Sequence, residues 1–293
     1  MHIEGPSAAI GESRSGAFPS ARRLVLRGVA RAWSHRLLTL AAAAGLAACE
    51  PTVVIGEWTC PASKVDAGTQ LSAADPIPIP WSTGFENRFC DYTPPAGFCT
   101  DPVQYRIVSS PVHSGHFAAA FTVDAEDGSP LQQSRCVRQG TLPDEAYYGA
   151  WYYIPALSTN KGLWNLFHFQ GTDTPTSEPR GLWDVSLSNT SDGKLATFVL
   201  KFMWNGTGDH TIQGPPVPIG SWFHLEFYLR RAKDATGEAA LYQDGIRVAD
   251  FPNVVTDDTN YGQWFAGNLA NLLDPTESTL YVDDVTISPS LSP

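Results

Sequence analysis

The chain has 293 residues, 19 Lys and Arg against 30 Asp and Glu, and a formal net charge of −11 at pH 7. That surplus of acid excludes nucleic acid as a partner, because a phosphate backbone demands clustered cations. It also weighs against a strongly sulfated glycan, unless the few basic residues gather in one cleft that focuses the field locally.

Residues 1–48 read as an export signal. Arg22, Arg23, Arg27, Arg31 and Arg36 precede the apolar run from Leu37 to Ala48, which at about 12 residues falls short of the ~20 that a membrane-spanning helix requires. Leu46-Ala47-Ala48-Cys49 has the small-residue pattern of a bacterial lipoprotein processing site. Processing there would make Cys49 the lipidated first residue; an ordinary secretory peptide beside a chance cysteine is the alternative. The expectation is a bacterial cell-envelope protein, at the outer membrane or cell surface, that meets the membrane through a lipid anchor only. Residues 1–48 carry six Arg and two Glu, so the remainder keeps 13 basic and 28 acidic residues, a net of −15.

Four cysteines remain after Cys49, an even number suited to two disulfides in an exported protein. Cys90 and Cys99 flank the turn-rich DYTPPAGF and are expected to pair, which leaves Cys60 for Cys136. No CxxC or histidine spacing supports a zinc site. Residues 49–80 hold Pro51, Pro61, Pro76, Pro78 and Pro80 among small and polar residues and read as a tether.

Residues 81–293 suit one all-β domain, expected to be a monomer. Aromatic and β-branched runs recur between Gly, Pro, Asn and Asp at 116–123, 146–154, 163–169, 182–187, 196–204, 222–229, 239–244 and 279–287. No long run has a helical period, and many short strands imply a sandwich, barrel or jelly roll. Alternation assigns Trp183, Val185 and Leu187 to the core and turns Asp184 outward. Likewise Phe198, Leu200 and Phe202 pack inward with Lys201 outward, and Phe223, Leu225, Phe227 and Leu229 pack inward with His224 and Glu226 outward.

The segment 163–171 carries the chemistry. Read as a regular strand, it sends Leu163, Asn165, Phe167 and Phe169 to the core and Trp164, Leu166, His168 and Gln170 to the other face. An indole that can stack on a sugar ring would then stand beside an imidazole that can move a proton. A retaining glycosidase needs paired carboxylates, and Glu226 stands alone on its strand, so that chemistry is rejected.

Several landmarks follow in order: Thr83-Gly84-Phe85-Glu86, SGHFAAAFTV (114–123), YYGAWYYIP (147–155), WNLFHFQG (164–171), Trp222 with FHLEFYLRR, GEAALYQDGIRV (237–248) and TLYVDDVTIS (279–288). Over residues 82–288 they resemble the jelly-roll polysaccharide lyases of the heparin lyase and glucuronan lyase type, within the concanavalin A-like lectin and glucanase superfamily. The resemblance implies a two-sheet antiparallel β-jelly roll that engages polysaccharide. Two departures stand out. SRCVRQG (134–140) supplies Arg135 and Arg138 but no Glu where the family often has Arg-x-Glu, and the usual Gln-x-His is reversed as His168-Phe169-Gln170.

A lyase acting on a uronic acid must neutralise the sugar carboxylate, remove the C5 proton and protonate the leaving oxygen. The resemblance implies Gln170 with Arg135 or Arg138 on the carboxylate, His168 as base, and one of Tyr148, Tyr152 or Tyr153 as acid. Trp164, Asp184 and Lys201 are the expected substrate contacts. Resembling domains often hold a structural calcium where first and last strands meet, for which Glu86, Asp283 and Asp284 are the candidates. Two further readings stay open: a non-catalytic carbohydrate-binding module, and a structural or adhesion lipoprotein.

Overall fold

The computed structural model describes residue 60 and residues 75–99, 105–126, 131–174, 177–191, 193–194, 196–202, 209–211, 215–257 and 259–292. Cys49 and the export signal lie outside the described residues. In chain order the strands are β1 (Trp81–Thr83), β2 (Gly97–Cys99), β3 (Tyr105–Val108), β4 (Ala118–Asp124), β5 (Gln132–Gly140), β6 (Glu145–Tyr153), β7 (Thr159–Asn160), β8 (Trp164–Thr172) and β9 (Arg180–Asn189). They continue as β10 (Ala196–Phe202), β11 (Asp209–Thr211), β12 (Trp222–Arg230), β13 (Gly237–Gln243), β14 (Ile246–Val254), β15 (Tyr261–Ala270), β16 (Leu273–Asp274) and β17 (Glu277–Ser288).

Two large antiparallel sheets result. One has the order β14-β13-β12-β6-β17-β4-β3 with β1 also on β17, and the other β11-β10-β9-β8-β15-β5-β2. The chain crosses between them repeatedly, as in a jelly roll: β4 lies in the first, β5 in the second, β6 in the first again. The alternation explains the pairing. Phe223, Leu225, Phe227 and Leu229 of β12 are fully buried and meet Trp183, Val185 and Leu187 of β9 within one core. Phe169 stands 4.9 Å from Phe227 and 5.0 Å from Tyr148, ring centre to ring centre. Each such ring contributes roughly 1.5–3 kcal/mol by leaving water.

The Asp-Gly hairpin between β13 and β14 forms with Asp244 and Gly245 at φ 51° and 75°, the left-handed pair that a tight two-residue turn needs. Ile77, in the segment expected to be tether, is buried and its N–H bonds to the Thr141 carbonyl at 2.9 Å, so packing begins before residue 81. The disulfide expectation is corrected. Cys60 pairs with Cys90, and Cys99 with Cys136. The reason is register: β2 runs beside β5 with Cys99 directly opposite Cys136, so Cys99 faces a cross-strand partner rather than its own loop.

Candidate functional site

Register builds the site on the outer face of the seven-stranded sheet. Asp209, Lys201, Asp184, His168, Phe265, Val137 and Phe98 are successive partners on β11, β10, β9, β8, β15, β5 and β2, one rung across the sheet. Neighbouring side chains on a rung point the same way, so Asp184, His168 and Phe265 stand shoulder to shoulder. His168 Nδ1 bonds to Asp184 Oδ1. An ionised carboxylate only accepts, so His168 carries its proton on Nδ1 and leaves Nε2 as the basic nitrogen. The His168 side chain keeps 14% of its exposure while that of Asp184 keeps 3%. Asp184 is therefore the hidden orienting partner and His168 the group that meets solvent, which changes the expected role of Asp184 from substrate contact to support.

His168 stacks on Phe265 with centroids 5.0 Å apart and planes 13° from parallel. From β5, on the other flank of β15, the Arg135 guanidinium lies 3.7 Å from the Phe265 ring centre. Burial draws the Arg135 pKa down to about 10, with Asp184 pulling the other way. At neutral pH the arginine is still a cation, now poorly hydrated and held against a ring.

The adjoining rung is amide. Gln170, Gln263 and Gln139 are partners on β8, β15 and β5. Gln139 Nε2 donates to the Pro95 carbonyl at 2.6 Å, Gln263 Nε2 to Gln139 Oε1 at 2.9 Å, and Gln170 Nε2 to Gln263 Oε1. Because a backbone carbonyl can only accept, it fixes the direction of the whole chain and leaves the Gln170 carbonyl oxygen as its free acceptor. Beyond it, Gln170, Thr172, Ser177, Tyr261 and Gln263 line a hollow of about 80 Å³.

Other expected residues go elsewhere. Trp164 is fully buried, with Nε1 donating to Asn268 Oδ1 at 3.1 Å. A bulge between Asn165 and Phe167 inverts the alternation, so Trp164 enters the core while Asn165 turns out to bond Ser186. Tyr148 and Tyr152 are fully buried between the sheets, where burial raises both phenols well above their ordinary value. Tyr152 is occupied structurally: its O–H donates to the Leu166 carbonyl at 2.8 Å and accepts the Gly267 N–H at 3.2 Å. Tyr153 stands on the outer face of the other sheet, against Trp222 and Tyr281. None of the three reaches His168, because β6 belongs to the eight-stranded sheet. Arg138, one residue out of phase with Val137, is buried over Trp81 at 4.5 Å and donates to the Asp91 carbonyl. Lys201 has its backbone opposite Asp184.

The expected calcium ligands divide into separate contacts. Glu86 Oε1 accepts the N–H groups of His116 and Phe117 at 2.6 and 3.0 Å. Asp283 Oδ2 accepts those of His113 and Ser114, and Asp284 Oδ2 bonds His113 Nδ1 at 2.7 Å. Among the described residues no group of three or more His, Cys, Asp or Glu is placed to hold a metal ion.

Phe265, Gln263 and Tyr261 were not legible as site residues, because YGQWFAGNLA lacks an uninterrupted strand pattern: Gly262 and Gly267 weaken it. The polar or aromatic residue at every second position, Tyr261, Gln263 and Phe265, was the usable signal.

The fold is a two-sheet antiparallel β-jelly roll. An endo-β-1,4-glucuronan lyase from the fungus Trichoderma reesei superposes with a TM-score of 0.53 at 15% identity, over 72% of this chain and 95% of that one. An alginate lyase from Aplysia kurodai gives 0.48 at 11% identity, over 73% and 98%. No protein-family model matches the sequence, and no curated protein does.

Proposed function

We propose that this protein engages a uronic-acid-containing polysaccharide along the outer face of its seven-stranded sheet and cleaves it by β-elimination. One observation carries the reading: Asp184, His168, Phe265 and Arg135 stand side by side on four adjacent strands, giving an oriented base with a cation one ring away. Arg135 would meet the sugar carboxylate, making the C5 proton more acidic, while the Gln170 carbonyl accepts a hydroxyl. His168 Nε2 takes the C5 proton, the C–H electron pair becomes the C4=C5 double bond, and the C4–O bond breaks. The departing oxygen then needs a proton, and the three expected tyrosine acids are elsewhere. The imidazolium formed in the first step can return its proton to that oxygen, provided that C5–H and C4–O lie on the same side of the ring. The preferred uronates are therefore those with this syn arrangement.

Export and lipidation at Cys49 belong to the same proposal, supported by the Leu46-Ala47-Ala48-Cys49 pattern. A second reading, a non-catalytic glycan-binding module, is favoured by the burial of Tyr148 and Tyr152. Incubation with a panel of uronic-acid polymers separates the two: a lyase generates the ultraviolet absorbance of an unsaturated uronate. Retardation of the protein in a polymer-containing gel without that absorbance would leave the binding module standing.

A further inference from the structure

The outer face of the eight-stranded sheet is also unusual. An antiparallel sheet that faces water ordinarily presents small polar and charged residues there. Here β6 presents Tyr147, Trp151 and Tyr153, and β12 presents Trp222, His224 and Tyr228, with Tyr242 beside them on β13. Tyr147, Trp151, Tyr153, Trp222 and Tyr242 all keep part of their surface in solvent. These rings form two groups. At one end Tyr147 lies 4.8 Å from Tyr228 and 6.2 Å from Tyr242. At the other, His113 stacks on Trp151 at 3.7 Å, Trp151 on His224 at 5.1 Å, and Trp222 meets His113 and Tyr153 at 5.8 and 5.7 Å.

Between the groups sits Gly149, and its missing side chain lets three polar ones converge. A Cβ there would lie 2.9 Å from Thr286 Oγ1, 3.1 Å from His224 Nε2 and 3.6 Å from Glu226 Cγ. The buried Glu226 carboxylate accepts the Ser292 N–H at 3.2 Å and hydroxyl at 3.0 Å, a pair of donors from the segment following β17. Tyr147 and Trp151 are four residues apart on one strand, about 14 Å at the rise of a β-strand.

Partly exposed rings on either side of this buried polar strip suit a polymer with apolar ring faces. Charge decides its class. Glu145, Glu226 and Asp284 border the strip, while Arg230 and Arg247 at its margin are already paired with Glu238 and Asp250. A polyanion is repelled here. We infer that this face is a second binding site, for a neutral polysaccharide lying along β6, on the side of the molecule opposite the His168 row.

Native gel electrophoresis of the whole protein through gels containing hydroxyethylcellulose, galactomannan or xyloglucan tests the inference. At least one should retard the wild-type protein, with Trp222→Ala and Tyr147→Ala each weakening affinity at least tenfold and His168→Ala leaving it unchanged. Near-ultraviolet circular dichroism checks that the variants are folded, and Tyr242→Ala, at the margin of the face, replaces any that is not. Retardation by none of the three polymers, retardation that survives all the ring variants, or loss with His168→Ala would overturn the inference. So would a concentration-dependent dimer that the same ring variants dissociate, since the face would then be an interface between copies. The uronate-cleavage reading is untouched by these results, because it rests on the opposite sheet.

Discussion

At the scale of single residues, His168 and Asp184 behave as a unit in which the buried acid sets the tautomer of the partly exposed base. His168→Ala should lower kcat on a uronic-acid polymer by on the order of 10²-fold or more while the thermal midpoint stays close to wild type. Asp184→Ala should lower kcat with little change in KM and shift the pH profile, since the imidazole loses its fixed tautomer; an unchanged profile would remove Asp184 from the mechanism. Asp283 makes a separate prediction. Burial, and then the charge of Asp284, raise its pKa from 3.8 to about 6. A raised carboxyl binds its proton more tightly folded than unfolded, so stability from this group is present below pH 3.8 and falls as pH climbs towards 6. Thermal midpoints of Asp283→Asn should therefore gain on wild type between about pH 4 and 6 and run parallel above that. A difference independent of pH would contradict it.

At the scale of elements, the bulge in β8 and its counterpart in β15 decide which side chains reach the site. Strict alternation put Trp164 and His168 on one face, and for His168 and Gln170 that holds. It fails at Trp164 because one extra residue inverts parity, and nothing in WNLFHFQG marks a bulge. Its partner irregularity does carry a mark, Gly267 at φ 154°, where a Cβ would lie 2.6 Å from the Ser134 carbonyl oxygen. Gly267→Ala should destabilise by roughly 1–3 kcal/mol and misplace Phe265, visible as a raised KM together with a lowered thermal midpoint. The core strands were legible for the opposite reason. In β12 and β9 every alternate residue is large and apolar, so the period survives, and those residues form the core between the sheets. The tyrosines of β6 misled because a phenol satisfies a period as well as a phenylalanine does. Sequence does not say which sheet a strand joins.

At the scale of the whole molecule, covalent and ionic pins reinforce what β-pairing brings together. The Cys99–Cys136 bond closes a 37-residue separation between β2 and β5, and Cys60–Cys90 adds another link at the same edge. Replacing both Cys99 and Cys136 by Ser should cost about 2–4 kcal/mol in denaturant unfolding. Arg231, just after β12, donates to Asp257 at 2.6 Å, to the Leu142 carbonyl at 2.7 Å and to the Thr259 carbonyl at 3.0 Å. Asp257 is itself buried and also holds Thr259, so the pair ties the end of one sheet to the entry of β15 in the other. Asp257→Ala would leave a largely buried guanidinium without its carboxylate and should destabilise by about 2–4 kcal/mol.

The molecule that results has one face with an oriented imidazole and a half-buried arginine, and an opposite face of rings. The claim that the first face eliminates rather than hydrolyses or merely binds is tested most directly by proton NMR of a uronic-acid polymer digest. Wild-type protein should produce the vinylic H4 signal of a C4=C5 uronate, and His168→Ala should not. Persistence of that signal in the variant, or new reducing ends without it, would contradict the account.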